Sequence, residues 1–241
     1  MMLPETAHHL LKVNREFYRN FSVPFAGTRR MTQPGFYTLQ EFLPKDKNHL
    51  LDIGCGEGRF GRFLADQNAL ASYTGIDFTG ELIRYAKAEL EGRFFIRDFY
   101  QTGWQVGLDT YDIVASLAAL QHIPSVQRRG ELLSEMSDLV KPKGRLFLSL
   151  WQFLDSKRQR RKIIPWEQIG LSTRDVEPGD YLISWEKGGH GYRYVSYIDD
   201  VSLDSLAKRA GLTIESTFRS DGREGDLNLY AVLRYPDDFP I

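Results

Sequence analysis

The chain has one cysteine, Cys55, among 241 residues, so no disulfide can form within it. No apolar run approaches the roughly 20 residues that a membrane-crossing helix needs. The first residues lack the basic stretch and apolar core of a secretory leader. These absences set the expectation of a cytoplasmic protein with no membrane partner. Net charge is nearly absent too: 31 Lys and Arg stand against 32 Asp and Glu, leaving −1. Such a balance excludes a protein that coats nucleic acid by bulk positive charge, although a neutral total can hide an uneven distribution. No His and Cys cluster has metal-ligand spacing, and no internal repeat occurs. What is present is 42% hydrophobic, 13% aromatic and 26% charged residues, enough apolar surface for a substantial core under an ordinary polar surface. At this length the expectation is one α/β unit spanning 1–241, carrying an insertion.

The segment 6–21 reads as a short helix ahead of a turn at Pro24, and the stretch 1–36 as a lid outside the sheet. From His49 onward, apolar runs alternate with amphipathic segments, the pattern of βα units around a parallel sheet. Strands are predicted at 49–53, 72–76, 94–96, 113–117 and 145–150. Leu82, Ile83, Ala86 and Leu90 fall at helical spacing, as do Leu132, Leu133, Met136, Leu139 and Val140, which Pro142 and Gly144 then terminate. Residues 151–190 show no period and carry Pro165, Gly170, Pro178, Gly188 and Gly189, so they read as a substrate-side insertion. A helix at 202–210 closed by Gly211 and strands at 212–218 and 228–234 complete the pattern. The link between the last two strands is too short for a helical crossover, so they should be antiparallel at the sheet edge.

The segment Leu51-Asp52-Ile53-Gly54-Cys55-Gly56-Glu57-Gly58 is a strand running into a glycine-rich turn before a helix. Glycines let a backbone approach a ligand closely, and the helix offers free N–H groups. Read literally, Gly56 to Gly61 also fits the dinucleotide fingerprint, by itself a weak signal. Asp52, two residues before the first glycine, argues the other way: a carboxylate there repels a pyrophosphate but neutralises an ammonium. The resulting pattern, acidic-x-Gly-x-Gly-x-Gly, resembles the first motif of class I methyltransferases. Asp77 ends the second strand, where a carboxylate can accept from both ribose hydroxyls.

This resemblance implies an S-adenosylmethionine cofactor on a Rossmann-like α/β fold: a mostly parallel seven-stranded sheet, helices on both faces and an antiparallel edge strand. It assigns Asp52, Gly54, Cys55, Gly56 and Gly58 to the cofactor loop and Asp77 to the ribose. Asp98 then meets the adenine amino group, with Phe78 or Phe99 flanking the ring. Capping of a following helix by Asp98 is the alternative. Leu117 and His122 belong to the motif that walls the methyl-donor pocket, where His122 either faces substrate or serves a turn.

Beyond these shared motifs, Tyr18-Arg19-Asn20-Phe21-Ser22-Val23-Pro24-Phe25-Ala26-Gly27-Thr28-Arg29, the stretch Gly179 to Trp185, Arg193-Tyr194 and Asn228-Leu229-Tyr230 are similar to the tRNA wobble carboxymethyluridine methyltransferase family. The sequence departs from it where Gln121-His122 and Ser184-Trp185 replace a paired histidine and a Pro-Trp. The resemblance implies methyl ester formation on tRNA, with a small zinc-binding activator as a further partner. A carboxylate with pKa about 4 is already ionised and needs orientation rather than a base. Arg29 is the candidate to orient it and Tyr18 to close over the methionine portion, against the alternatives of a surface ion pair and an ordinary core residue.

Residues 141–163 hold eight Lys or Arg and one Asp. Within them Lys157, Arg158, Arg160, Arg161 and Lys162 are candidate tRNA phosphate contacts, or simply a solvated face. Trp151, Trp166 and Trp185 are candidates for stacking on bases, burial being the other outcome. A small-molecule carboxylate or hydroxyl is the alternative acceptor.

Overall fold

The computed structural model describes residues 2–27 and 31–236. Its central sheet joins β1 (Asn48–Ile53), β2 (Leu70–Asp77), β3 (Arg93–Ile96), β4 (Tyr111–Leu117), β5 (Val140–Trp151), β9 (Thr213–Ser220) and β10 (Asn228–Arg234). Their spatial order is β3-β2-β1-β4-β5-β10-β9. Strands β1 to β5 are parallel, while β10 runs antiparallel to both β5 and β9. This is the mostly parallel seven-stranded sheet with an antiparallel edge.

Period-two alternation sends neighbouring residues of each central strand to opposite layers. Leu51, Val114, Leu146, Leu148, Ala231 and Leu233 pack toward α5 (Val126–Ser137) and α7 (Asp200–Arg209). Leu50, Ile113, Ala115, Phe147, Tyr230 and Val232 pack toward α2 (Pro34–Gln40) and α3 (Arg59–Asp66). Asp199 caps α7, its carboxylate accepting from the Ser202 N–H. Helix α4 (Gly80–Glu89) covers β2 and β3.

Three expectations change. The first helix, α1 (Pro4–Ala26), runs through Pro24 rather than stopping ahead of it. Strand β5 begins at Val140, so Pro142 and Gly144 do not separate a helix from a strand; they lie in the strand. Tyr111 pairs with Val140 and Ile113 with Arg145, so the intervening residues of β5 bulge out, with Lys143 at a φ of 65°. Proline is tolerated at such a bulge because no ladder hydrogen bond is demanded of it.

The insertion is ordered and extends past residue 190. It contains α6 (Lys157–Arg160), β6 (Ile163–Ile164), β7 (Asp180–Trp185) and β8 (Gly191–Ser196), the strands forming a separate antiparallel sheet. One face of that sheet meets α1 through Leu182, Tyr194, Ala7 and Leu10, and the other holds Phe153, Ile183 and Val195. Arg129 of α5 ties the sheet down, donating to the Tyr194 hydroxyl at 3.1 Å, while that hydroxyl donates to Asp180 at 2.7 Å. Among the described residues no helix is long and apolar enough to cross a membrane.

Candidate functional site

The sheet order reverses at β1, whose neighbours are β2 and β4, and open α/β sheets hold ligands beyond the carboxyl ends of the strands at such a point. A cleft partly open to solvent lies there. Asp52, Gly54, Cys55 and Gly56 line it from β1 and its loop, Asp77 and Phe78 from the end of β2, Phe99 from beyond β3, and Leu117 and His122 from the end of β4; Tyr18 descends from α1.

The glycine loop holds its shape through left-handed backbone. Gly54 has a φ of 73°, and a Cβ there would sit 2.4 Å from the Ala119 Cβ, so both conformation and space demand glycine. Gly56 donates its N–H to Asp77 Oδ2 at 2.9 Å and Thr79 donates its own to Oδ1 at 2.8 Å. These bonds fix the Asp77 carboxylate with a lone pair left on each oxygen. Burial raises the Asp77 pKa, opposed by the two backbone N–H groups.

Asp52 is held from behind by Tyr73, whose hydroxyl donates to Oδ2 at 3.1 Å. The Tyr73 ring is buried against Gly61 and Gly75, where a Cβ would come within 2.3 and 2.8 Å of it. Glycine at position 61 therefore makes room for the ring that positions Asp52. Burial lifts the Asp52 pKa to about 7, with the nearby Asp77 adding to the rise and the Tyr73 hydrogen bond opposing it. A buried carboxylate in that state calls for a cationic group.

Tyr18 and His122 form the opposite wall. The His122 Nδ1 lies 3.0 Å from the Tyr194 carbonyl oxygen, which can only accept, so Nδ1 carries the proton. In the neutral ring, Nε2 is then the acceptor and receives the Tyr18 hydroxyl at 3.2 Å. The Tyr18 ring meets Phe78 edge-on. Asn14, one helical turn earlier, donates to the His122 carbonyl at 3.2 Å and accepts from Tyr194 N–H at 2.8 Å, binding α1 to both elements.

Two expected cofactor residues, Gly58 and Asp98, do not line the cleft. Asp98 does not line it: its carboxylate accepts from Tyr100 N–H at 3.2 Å and pairs with Arg15 of α1, so it neither meets the cleft nor caps a helix. With Ser22 donating to Glu81 at 2.7 Å, this pair fastens α1 across the end of β3 and α4. Arg29 lies outside the described residues. Trp166 is core beneath α1. Trp151 and Trp185 are half-buried on either side of Arg193, whose guanidinium also lies 5.0 Å from the Phe17 ring.

The cleft also contains residues that motif reading passed over: Glu57, Arg59, Phe36, Phe60, Thr79, Leu82, Ala118 and Ala119. Glu57 and Arg59 sit between the glycines in sequence, and their chemistry is visible there, but not their direction. Ala118 has a φ of 60°, an uncommon conformation for a side-chain-bearing residue, where β4 turns over the cleft.

Lys157, Arg158, Arg160 and Arg161 are exposed, and among the described residues none of them, nor Lys162, forms an ion pair. Arg160 donates to the Leu154 carbonyl at 2.9 Å. The Lys162 pKa is lowered by partial burial and then by Arg158 and Arg193, so the cations crowd one another. Arg193 is itself buried; it packs on Phe17, which meets the Tyr18 ring edge-on at the cleft wall.

Residues 29–217 match a family described as a methyltransferase domain. The chain belongs to that methyltransferase domain family. It is a class I, S-adenosylmethionine-dependent methyltransferase domain. It is 31% identical over 116 residues to a ubiquinone biosynthesis O-methyltransferase of Coxiella burnetii, covering 47% of each chain. It is 24% identical over 161 residues to the tRNA (carboxymethyluridine(34)-5-O)-methyltransferase ALKBH8 of Mus musculus, covering 66% of this chain and 23% of the mouse protein. The chain thus spans about half the length of the first relative and a quarter of the second. Among solved structures, a methyltransferase from Methanosarcina mazei aligns with a TM-score of 0.63 at 20% identity, over 81% of this chain and 95% of that one. The magnesium protoporphyrin IX methyltransferase of Synechocystis, solved with bound S-adenosylmethionine, aligns with a TM-score of 0.60 at 17% identity, over 92% and 95%. These likenesses establish the fold.

The donor set fits that cofactor. It presents a ribose diol, an ammonium, a sulfonium and a carboxylate. The cleft offers acidic Asp52, Asp77 and Glu57, cationic Arg59 and the apolar faces of Phe78, Phe99, Leu82 and Leu117.

Proposed function

We propose that this methyltransferase domain esterifies a carboxylate on a modified tRNA wobble uridine. In this reading Asp77 accepts from the ribose hydroxyls, Asp52 neutralises the ammonium, and Gly54, Cys55 and Gly56 bring the backbone against the cofactor. Phe78 and Phe99 flank the adenine, Leu117 backs the methionine portion, and α1 with the rest of 1–36 acts as a lid bearing Tyr18. The bound cofactor supplies an electrophilic methyl group. The protein supplies orientation and a dry site, since an ionised carboxylate needs no base. Arg29 is assigned to hold that carboxylate in a two-donor fork.

The observation that carries the tRNA reading is the cationic run from Lys157 to Lys162, which has no acidic partners among the described residues and lies near the half-buried Trp151 and Trp185 that pack on Arg193. Such a surface suits phosphates with bases stacked alongside. The likeness to the mouse wobble-uridine enzyme supports it. A small zinc-binding activator is part of the same proposal.

The test is mass spectrometry of nucleosides from tRNA carrying carboxymethyluridine, incubated with protein and methyl donor, with and without such an activator. The expected product gains one methyl group and loses it on mild alkaline hydrolysis. Arg29→Lys should then be nearly as damaging as Arg29→Ala, because an ammonium restores the charge but not the fork.

A second reading rests on the Tyr18–His122 pair. An Nε2 held as acceptor, with a hydroxyl bonded to it, is suited to deprotonating a phenol or alcohol, which a carboxylate acceptor would not require. The Coxiella relative is an O-methyltransferase. Ready methylation of small phenols with no gain on tRNA would decide for this reading.

A further inference from the structure

We infer that Arg59 is the residue that grips the methionyl carboxylate of the cofactor, and so distinguishes S-adenosylmethionine from its decarboxylated form. The inference rests on the cofactor assignment and adds to it a residue that the glycine-loop motif does not specify.

Among the described residues lining the cleft, Arg59 is the one permanent cation, against the carboxylates of Asp52, Glu57 and Asp77. The cofactor brings two positive groups, sulfonium and ammonium, and one negative group. Three lining carboxylates meet the positive groups, but the carboxylate placed in the same space would be repelled by every one of them. It needs a cation, and Arg59 is where one stands.

The local geometry leaves Arg59 available for this. Its side chain is 16% exposed, and its Nε lies 3.2 Å from Glu57 Oε1. That contact is not aligned as a hydrogen bond: the buried Glu57 Oε1 accepts none. Among the described residues the guanidinium donates no hydrogen bond to a protein acceptor. Donors without a protein acceptor are free to form charge-assisted hydrogen bonds with a bound carboxylate. The Glu57 oxygen lies nearest Nε rather than a terminal nitrogen, and a guanidinium offers the planar fork that a carboxylate fits.

Position in the fold adds a second attraction. Arg59 is the first residue of α3, directly after Gly58, which has a φ of 75° and offers no side-chain cap. The first N–H groups of α3 are therefore left for another acceptor, and the positive end of the helix dipole points the same way. A carboxylate gripped by Arg59 would be close to both.

The test is titration calorimetry of S-adenosylmethionine and decarboxylated S-adenosylmethionine, which keeps the ammonium and the sulfonium, against the wild type, Arg59→Gln and Arg59→Lys. The wild type should prefer the intact cofactor by roughly 10- to 100-fold, the worth of a charge-assisted pair. Arg59→Gln should bind the decarboxylated form as the wild type does, which also reports an intact fold. Its preference should fall to within about threefold, and Arg59→Lys should retain only part of it. Full preference in Arg59→Gln, or no preference in the wild type, would overturn the assignment. So would a variant whose cofactor selectivity is unchanged while the KM for the methyl acceptor rises, since that places Arg59 on the acceptor instead. Wild-type protein that binds neither form would count against the cofactor reading itself, a different failure.

Discussion

If Asp52 meets the cofactor ammonium, binding should expel a proton. Burial holds the free Asp52 pKa at about 7, so near pH 6 the side chain is mostly protonated. An ammonium brought against it in a low-dielectric cleft favours the carboxylate and lowers that pKa. If the bound value falls below about 5, binding at pH 6 should release about 0.9 proton and binding at pH 7 about 0.5, from the difference in protons held before and after. Affinity should correspondingly rise about fivefold from pH 6 to pH 7. The comparison is kept below the range of about 7.7 to 8.0 where the cofactor's own α-amino group titrates. The assay is titration calorimetry in buffers of different ionisation enthalpy, where the slope of observed enthalpy gives the proton count. Asp52→Asn should abolish the release, and Asp77→Asn, at the other raised carboxylate, should leave most of it. A buffer-independent enthalpy at pH 6, or an undiminished release in Asp52→Asn, would refute the placement of the ammonium.

The same elevation has a stability consequence in the cofactor-free protein. Asp52 titrates at about 7 when folded and near 3.8 when unfolded, so its contribution is most favourable below pH 4 and is lost as pH rises to 7, on the order of 4 kcal/mol in all. Melting curves should show Asp52→Asn gaining relative to wild type from pH 4 to 7; a constant difference would count against the elevated pKa. Asp77→Ala should weaken cofactor binding by about 1.5 to 3 kcal/mol, measured by calorimetry on folded variant, because ribose hydroxyls lose a charged acceptor. Replacing Lys157, Arg158, Arg160, Arg161 and Lys162 by Gln should flatten the salt dependence of tRNA binding, by about 0.7 to 0.9 logarithmic units for each phosphate no longer neutralised, and leave cofactor affinity intact. Equal slopes would make the run a solvated face.

The sequence by itself determined the α/β alternation, the strands on either side of the glycine loop and the antiparallel edge pair. Each follows from local rules: continuous apolar runs along β4 and β5, left-handed glycines after β1, and a linker between β9 and β10 too short for a crossover. Asp52 and Asp77 were legible for the same reason, since a residue that ends a parallel strand is carried to the carboxyl edge of the sheet whatever surrounds it. Tertiary structure decided what depends on partners distant in sequence. Asp98 follows β3 by two residues, but its carboxylate pairs with Arg15, 83 residues away, and does not line the cleft. Tyr73 reads as one more apolar strand residue until Gly61 and Gly75 make room for its ring and its hydroxyl reaches Asp52. The irregular stretch after β5 forms a sheet anchored by hydrogen bonds from Arg129 to Tyr194 and from Tyr194 to Asp180, a network that no periodicity announces. Arg59 is visible in the motif as a charge, yet only the packed cleft shows that it lines the ligand space and that its guanidinium donates no hydrogen bond to a protein acceptor among the described residues. Backbone periodicity is a short-range property and can be read along the chain, whereas the direction of a charged side chain is set by whichever counter-charge the fold brings within reach.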